Sequence, residues 1–230
     1  MKNRKFLVLM TLVLAFSLLA GCGSDKEDVS GSITSTTSPI QDKNLSLGVV
    51  EGGTYTNAYA GIGCTLDGSW VIYPAEQLQE LPATVRDMME GSELAEAMAD
   101  VEQFTDMFAE NADSMINMNV LLQKQSMQER LAFAMLTEEQ MVDGLLEQLD
   151  TLTEAYAQAG INVKSMEKVV VTFLGEERYA AKTTAESQGI PVYMLQLFDY
   201  TLGEYSVTIT MTSFLEDNTA SALELFYKLD

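Results

Sequence analysis

The last third of the chain contains four strand-like runs, and the gaps between them are too short for anything but hairpins. The runs cover 166–175, 178–187, 190–200 and 204–214 and are rich in β-branched and aromatic residues. Glycines stand at the gaps, at positions 175, 189 and 203. Parallel strands need a crossover of roughly a dozen residues or more, whereas short glycine-containing gaps join antiparallel strands. The sequence therefore predicts an antiparallel meander at the C-terminal end of the fold.

A long helix is predicted to pack on this meander, from Thr137 to Ala159. Thr137 and Gln140 form a capping-box pattern, and Gly160 stands where a helix commonly ends. The apolar stripe of this helix recurs at helical spacing and consists of Val142, Leu145, Leu149, Leu152 and Tyr156. The predicted fold class is therefore α+β, an antiparallel sheet with a C-terminal meander flanked by helices.

The rest of the domain adds further elements to this plan. A hairpin is predicted over 54–70, helices over 75–91 and 92–104, and a closing helix from about Asn218 to Leu229. The second of the two early helices has Ser92 as its N-cap and an apolar stripe of Leu94, Met98, Val101 and Phe104. The closing helix is predicted to pack through Leu223, Phe226 and Tyr227. A strand is predicted in which Ile116, Met118, Val120 and Leu122 share one face.

The N-terminus has the three parts of an export signal, and they define the first segment, 1–21. Basic residues at 2, 4 and 5 precede an apolar stretch from Phe6 to Ala20. The stretch is shorter than the ~20 residues that a membrane-spanning helix needs, which disfavours a retained span. Leu19, Ala20 and Gly21 before Cys22 resemble the lipobox of bacterial lipoproteins. That resemblance implies cleavage between Gly21 and Cys22 and a diacylglycerol on the Cys22 thiol. The alternative is an ordinary secretory cleavage with a Cys22–Cys64 disulfide.

Residues 22–44 are predicted to be a flexible tether, and 45–230 a single globular domain. The tether is rich in Ser, Thr, Gly and Asp, and a coil of this length reaches about 25 Å. Removal of the signal and its three basic residues leaves 10 Lys and Arg against 34 Asp and Glu, a formal charge of −24. Phosphate polymers are repelled by such a surface, so nucleic acid is excluded as a partner. Contact with the membrane is expected only through the covalent lipid, at the extracytoplasmic face. Cys64 is then expected to be a buried free thiol.

The domain resembles a group of surface lipoproteins of Gram-positive bacteria. The resemblance is carried by "GTYTNAYAGIGCTLDGSWVIYPAEQL" at 53–78, by "DMFAENADSMINMNV" at 106–120, and by the order of the later helix, meander and last helix. The architecture of that group is similar to the PsbP and DcrB proteins, which implies an α/β/α sandwich around an antiparallel sheet. The group includes assembly factors and ligand carriers, so the resemblance leaves function open. Metal binding through histidine, found in some photosynthetic members, is not carried over, because this chain has no histidine.

The absence of histidine also limits the catalytic and metal-binding sites that the chain can form. Ser-His-Asp and Cys-His arrangements are excluded, and so are zinc sites of the usual His and Cys type. No phosphate-binding loop or calcium-loop spacing is present, so neither a cofactor nor a metal is expected. Trp70 and the methionines at 98, 118, 141 and 211 are interpreted as core residues, with a ligand platform or a plastic groove as the alternatives.

Two functions follow from the sequence, and neither is enzymatic. In the first, the domain is a binding or assembly module for an extracytoplasmic protein partner. In the second, it carries a small molecule or lipid in an apolar cavity between sheet and helices. The first is favoured because the apolar residues suffice only for an ordinary core, and no ligand-binding residue is assigned in either case.

Overall fold

Two antiparallel sheets form the framework of the computed structural model, which describes residues 45–74, 78, 102–158, 160–199 and 203–229. The strands are β1 Val49–Glu51, β2 Thr54–Asn57, β3 Ile62–Thr65, β4 Trp70–Pro74, β5 Gln103–Asn111, β6 Ile116–Lys124, β7 Ile161–Phe173, β8 Glu176–Ser187, β9 Ile190–Asp199, β10 Tyr205–Phe214 and β11 Phe226–Lys228. The helices are α1 Met127–Phe133, α2 Glu138–Leu146, α3 Leu149–Gln158 and α4 Thr219–Leu223.

The larger sheet has seven strands in the order β4-β5-β6-β10-β9-β8-β7. Its last four strands are sequential neighbours paired antiparallel, which confirms the predicted meander. β6 pairs with β10, so Ile116, Met118 and Val120 lie opposite Ser213, Met211 and Ile209. The antiparallel α+β class predicted from the sequence is therefore confirmed.

The smaller sheet has four strands in the order β1-β2-β3-β11. The β2–β3 hairpin confirms the hairpin predicted over 54–70. The closing helix predicted from Asn218 to Leu229 is wrong in its second half. The helix ends at Leu223, and Phe226 and Tyr227 belong to β11, where they pair with Cys64 and Gly63. Pairing with a distant strand edge outweighs the local helical pattern at this point.

The helix predicted from Thr137 to Ala159 is two helices. Its capping box is present, because Gln140 N–H donates to Thr137 Oγ1 and Thr137 N–H donates to Gln140 Oε1. After α2, Gln148 N–H donates to the carbonyl of Leu145, a bond that tightens the last turn, and α3 starts at Leu149. The single helix was wrong, because the apolar stripe continues across the break and its period does not reveal a turn.

The two early predicted helices lie almost entirely outside the described residues, but their C-terminal end can be tested. Gln103 and Phe104 are the first residues of β5, opposite Gln123 and Leu122 of β6. Lys124 N–H also donates to the carbonyl of Glu102, so the pairing extends to the start of the strand. The prediction that the helix continues to Phe104 is wrong, because β6 recruits these residues into the sheet.

Apolar side chains form two clusters, one on each face of the larger sheet. The first lies between the two sheets and includes Tyr55, Cys64, Met118 and Met211. The second lies under α2 and α3 and includes Val142, Leu145, Leu152, Tyr156, Met194 and Phe214. The core interpretation of Met118 and Met211 is thus confirmed, Met141 is half-buried, and Met98 lies outside the described residues. Among the described residues, no helix is long and apolar enough to span a membrane.

Candidate functional site

The face of the larger sheet that carries the helices has a polar centre. On β10, Thr210 lies opposite Asn119 and Gln196, and Thr212 lies opposite Asn117 and Met194. Residues opposite one another in an antiparallel pair point to the same side of the sheet, so these side chains share one face. Met194 belongs to the cluster under α2 and α3, which identifies it as the helix side. We call Asn117, Asn119, Thr183 and Thr212 the polar floor.

The side chains of the polar floor are buried without protein partners for several of their atoms. Asn117 and Thr212 have no solvent exposure, and Asn119 and Thr183 are buried as well. Both amide atoms of Asn117, the amide nitrogen of Asn119 and the hydroxyls of Thr183 and Thr212 accept or donate no hydrogen bond to the protein. Each such atom costs about 1–3 kcal/mol unless water or another polar group satisfies it. The centre of this face therefore suits polar groups better than hydrocarbon, whereas the apolar cluster under α2 and α3 lies beside it.

A carboxylate borders the polar floor on the β5 side. Glu110 lies opposite Asn117, is buried, and accepts a hydrogen bond of 2.8 Å from the hydroxyl of Tyr73. Tyr73 and Phe108 are neighbours with ring centroids 5.8 Å apart. Neutral amides and hydroxyls both donate and accept hydrogen bonds, so the floor is suited to hydrogen bonding with a polar group.

A second buried carboxylate, Asp106, lies on the opposite face and is fully satisfied. Its oxygens accept hydrogen bonds from the Tyr55 hydroxyl at 2.6 Å, from Asn57 Nδ2 at 2.7 Å and from Gly48 N–H at 2.8 and 2.9 Å. Burial, followed by the charge of Asp106, raises the pKa of Tyr55 well above its ordinary value. A Cβ at position 48 would overlap the Tyr55 ring and come within 2.5 Å of Asp106 Oδ2, so the close approach requires glycine.

A β-bulge explains how Asp106 reaches the smaller sheet. The register between β5 and β6 shifts between Thr105 and Met107, leaving Asp106 without a partner residue on β6. A bulge re-aims a side chain that strict alternation would point to the other face. Asp106 therefore joins Tyr55 and Asn57 of β2 to the larger sheet. It also fixes Gly48, where the chain enters the domain.

A small pocket opens between the two sheets at the edge of the first cluster. Its volume is about 50 Å³, and its lining includes Ile62, Phe173, Val207 and Ile209. Arg178 and Asp199 stand at the polar side of this lining. Arg178 Nε donates to Glu138 at 2.5 Å and its Nη2 to the carbonyl of Phe198 at 3.2 Å. Ligand pockets for small molecules usually measure about 300–1,000 Å³, so this one has room for a few waters only.

The sequence-predicted site residues are spread over the molecule. Gly21 and Cys22 lie outside the described residues. Cys64 is a buried free thiol, as expected, and burial raises its pKa to about 11. Trp70 packs against the cluster between the sheets, in line with the core interpretation. Trp70 is the first residue of edge strand β4, which lies opposite Asn111 to Met107 of β5.

Metal binding finds no support in the described part of the chain. No three or more Cys, Asp or Glu side chains come together there in a group that could hold an ion. Asp106 and Glu110 point to opposite faces of β5, one toward Tyr55 and the other toward Tyr73, so they do not form a pair.

Neither Asp106 nor the polar floor was found by reading the sequence. The only signal for Asp106 is an acidic residue inside a run, QFTDMFAEN, that is otherwise apolar at every second or third position. The alternation of Asn117 and Asn119 with Ile116, Met118 and Val120 was visible, but it indicated only that the apolar set shares one face of a strand. Burial of both faces became visible only in the three-dimensional structure.

The fold and these sites define a class of protein: an antiparallel α+β domain whose central sheet is covered on both faces. No protein-family model matches the chain, and no curated protein does either. Among solved structures, it is similar to the solution structure of cyanobacterial PsbP (CyanoP) from Synechocystis sp. PCC 6803. The TM-score is 0.38 and the identity 8%, over 86% of this chain and 98% of that chain. A similarity at this TM-score and identity assigns the chain neither to the PsbP group nor to a function.

Proposed function

We propose that the chain is an extracytoplasmic lipoprotein, held on the cell membrane by lipid on Cys22, whose domain is a non-catalytic binding module for a protein partner. The signal segment, the position of Cys22 and the tether support the anchoring. The absence of histidine from the chain supports a role without acid–base or nucleophilic catalysis of the common kinds.

One observation favours a module over a carrier. The helix-facing side of the larger sheet, against which a carrier would hold its cargo, is polar at its centre. The helix-facing side of the larger sheet carries Asn117, Asn119 and Thr212 at its centre, with unpaired polar atoms. Placing an acyl chain on these groups would leave them unsatisfied at a cost of about 1–3 kcal/mol each. The pocket between the sheets, about 50 Å³, is too small for such a chain.

The two cysteines allow a matched test of the anchor. Radiolabelled palmitate is expected to enter the wild-type chain and the variant Cys64→Ser, and to be absent from Cys22→Ser. Alkaline washing is expected to release only Cys22→Ser from membranes. Label in Cys22→Ser, or label lost in Cys64→Ser, would contradict the anchoring.

The choice between module and carrier is tested on the Cys22→Ser chain, which has no covalent lipid. Organic extracts of the purified protein are expected to contain no stoichiometric lipid by mass spectrometry. One lipid per chain, retained through washing, would favour the carrier instead.

A further inference from the structure

In helix α1 the usual amphipathic arrangement is reversed, because large apolar side chains are exposed and a charged side chain is buried. Met127, Leu131 and Met135 follow each other at intervals of four residues, and their exposed fractions are 65%, 54% and 71%. Leu136, next in the chain, is 42% exposed. The buried residue of the helix is instead a charged one, Arg130. We call Met127, Leu131, Met135 and Leu136 the Met–Leu stripe. Met135 and Leu136 lie in the turn that follows α1. Large apolar side chains gathered in solvent are typical of an interaction site.

The stripe is held in this orientation from both ends. Ser126 and Glu129 form a capping box that fixes the start of α1, and Gln125 N–H donates to the carbonyl of Glu204 at 2.7 Å. At the other end, Met135 and Leu136 donate their N–H groups to Ala132 and Phe133. The Thr137 capping box starts α2 directly afterwards. Because both flanks are fixed, α1 presents a preformed surface and does not need to order on binding.

The stripe also lies at the end of the domain where the tether enters. α1 follows the end of β6, which pairs with the start of β5 and the start of β10. Gly48, near the first described residue, is bonded to Asp106 in the first half of β5. A partner that binds the stripe therefore approaches the side of the domain that the tether connects to the membrane.

The charge of the chain indicates which kind of partner can bind the Met–Leu stripe. The mature chain carries a formal −24, and Glu129 lies within α1. Glu138 and Glu139, which follow the stripe in the chain, are paired with Arg178 and Lys168. Lys124, the exposed base nearest the start of α1 in the chain, is already paired with Glu102 at 2.9 Å. A second copy would bring like charges together, and an anionic bilayer would repel the same surface. A partner with basic residues around an apolar edge is attracted by the acids and covers the stripe.

We infer that the Met–Leu stripe is the docking surface for a basic amphipathic helix of a partner protein. This rests on the proposed function as a binding module and names its surface and the chemistry of its partner. Apolar residues at intervals of three and four on the partner helix would pack on Met127, Leu131 and Met135, whose thioethers adapt to varied shapes. Lysines or arginines beside that edge would be attracted by Glu129 and by the surplus negative charge of the chain.

Photo-crosslinking locates the contact. The probe is a 14-residue Leu/Lys amphipathic helical peptide with one benzophenone on its apolar edge, and its control is the same peptide with Glu for each Lys. Benzophenone reacts preferentially with methionine, so cross-links at Met127 and Met135 show whether the peptide contacts the stripe. With the full lipidated chain in zwitterionic nanodiscs, cross-links at Met127 and Met135 are expected for the Lys peptide and at least about tenfold fewer for the Glu peptide.

Two variants separate docking from background. Leu131→Gln keeps both methionines and the charge, and it should lower the cross-link yield at Met135 about fivefold or more, since it removes the central apolar contact. Leu215→Gln removes a leucine of similar exposure, 57%, that follows β10 and lies at the opposite end of the sheet, and it should leave the yield unchanged. Equal losses in both variants would overturn the docking surface.

The alternatives give distinct results. Equal cross-linking by both peptides would show that the apolar edge alone is recognised and would overturn the basic partner. Cross-links of the stripe to a benzophenone-bearing phospholipid in peptide-free nanodiscs would assign it to the bilayer. The peptide result does not depend on the anchor, because a chain that fails palmitate labelling can be tested in the same way in solution. The failure of one proposal is therefore distinguishable from the failure of the other.

Discussion

Asp106 shows how a single charged residue organises the interior. It is fully buried, yet three donors from two segments of the smaller-sheet layer converge on its oxygens: Gly48 N–H, the Tyr55 hydroxyl and Asn57 Nδ2. Hydrogen bonds to an ionised group contribute about 1.5–3 kcal/mol each, and the loss of a buried partner leaves donors unsatisfied. The contacts of Asp106 thus join the smaller sheet to the larger one more specifically than apolar packing alone.

Asp106→Asn is therefore expected to destabilise the protein strongly. The amide keeps the shape but replaces one acceptor oxygen by a donor, which would face donors. We expect a loss of about 3 kcal/mol or more in the free energy of unfolding, measured by urea denaturation. Tyr55→Phe removes only one of the bonds and should cost about 1–2 kcal/mol. A smaller effect for Asp106→Asn than for Tyr55→Phe would contradict this role.

Thr212 of the polar floor has a matched control in Thr210, which lies on the same face of β10. Thr212 Oγ1 is buried without a protein partner, whereas Thr210 Oγ1 accepts a hydrogen bond of 3.4 Å from Gln196 Nε2. Valine has nearly the same shape as threonine and suits a strand equally well. Thr212→Val is expected to leave stability unchanged or raise it by about 1 kcal/mol, and Thr210→Val to lower it by about 1 kcal/mol.

Thermal unfolding of the two variants checks this expectation. A marked loss of stability in Thr212→Val alone would show that the hydroxyl has a bound partner, such as an ordered water or a polar ligand. The pair thus reports on whether the Thr212 hydroxyl has a hydrogen-bonding partner.

At the scale of elements, one carboxylate fixes the start of α2 on the meander. Glu138 accepts from Arg178 Nε at 2.5 Å and from the backbone N–H of Tyr179 at 3.1 Å, and both charged side chains are largely buried. Its neighbour Glu139 is 47% exposed and shares Lys168 with Asp143. Both glutamates lie in the first turn of α2, so their charges should interact with the helix dipole to a similar extent.

Glu138→Gln and Glu139→Gln should consequently differ. The first is expected to lower the free energy of unfolding by about 1–2 kcal/mol, because it breaks a half-buried charge-assisted pair and weakens a bond to the β8 backbone. The second should change it by less than about 0.5 kcal/mol, as is usual for exposed pairs. Equal effects in chemical denaturation would show that the dipole, and not the contact with β8, dominates.

Elements specified by local residues were predictable, and those specified by distant pairing were not. The Thr137 capping box and the hairpin glycines act within a few residues, so α2 and the meander could be read from the sequence. β11 exists because Phe226 pairs with Cys64, more than 150 positions earlier in the chain. The bulge at Asp106 and the burial of Asn117 depend in the same way on neighbours that no local pattern identifies. The candidate site was therefore the least predictable part of the molecule.

At the scale of the whole molecule, acidic side chains far outnumber the basic side chains that could pair with them. The full chain has 34 acidic side chains against 13 basic ones. Several of the bases are already engaged: Lys168 with Glu139 and Asp143, Arg178 with Glu138, and Lys182 with Asp217. The acidic side chains thus outnumber the basic ones by 21, and folding brings like charges closer together.

This excess predicts that salt stabilises the fold. Screening lengths shorten from about 30 Å at 0.01 M to about 8 Å at 0.15 M salt, so mutual repulsion of the carboxylates should weaken over that range. We expect the melting temperature of the full chain to rise by several degrees between these concentrations of sodium chloride. Potassium chloride is the control for specific ion effects and should act equally. A melting temperature that falls with either salt would mean that the few ion pairs outweigh the surplus charge, and the same charge could then no longer be the reason why a basic partner is favoured at the Met–Leu stripe.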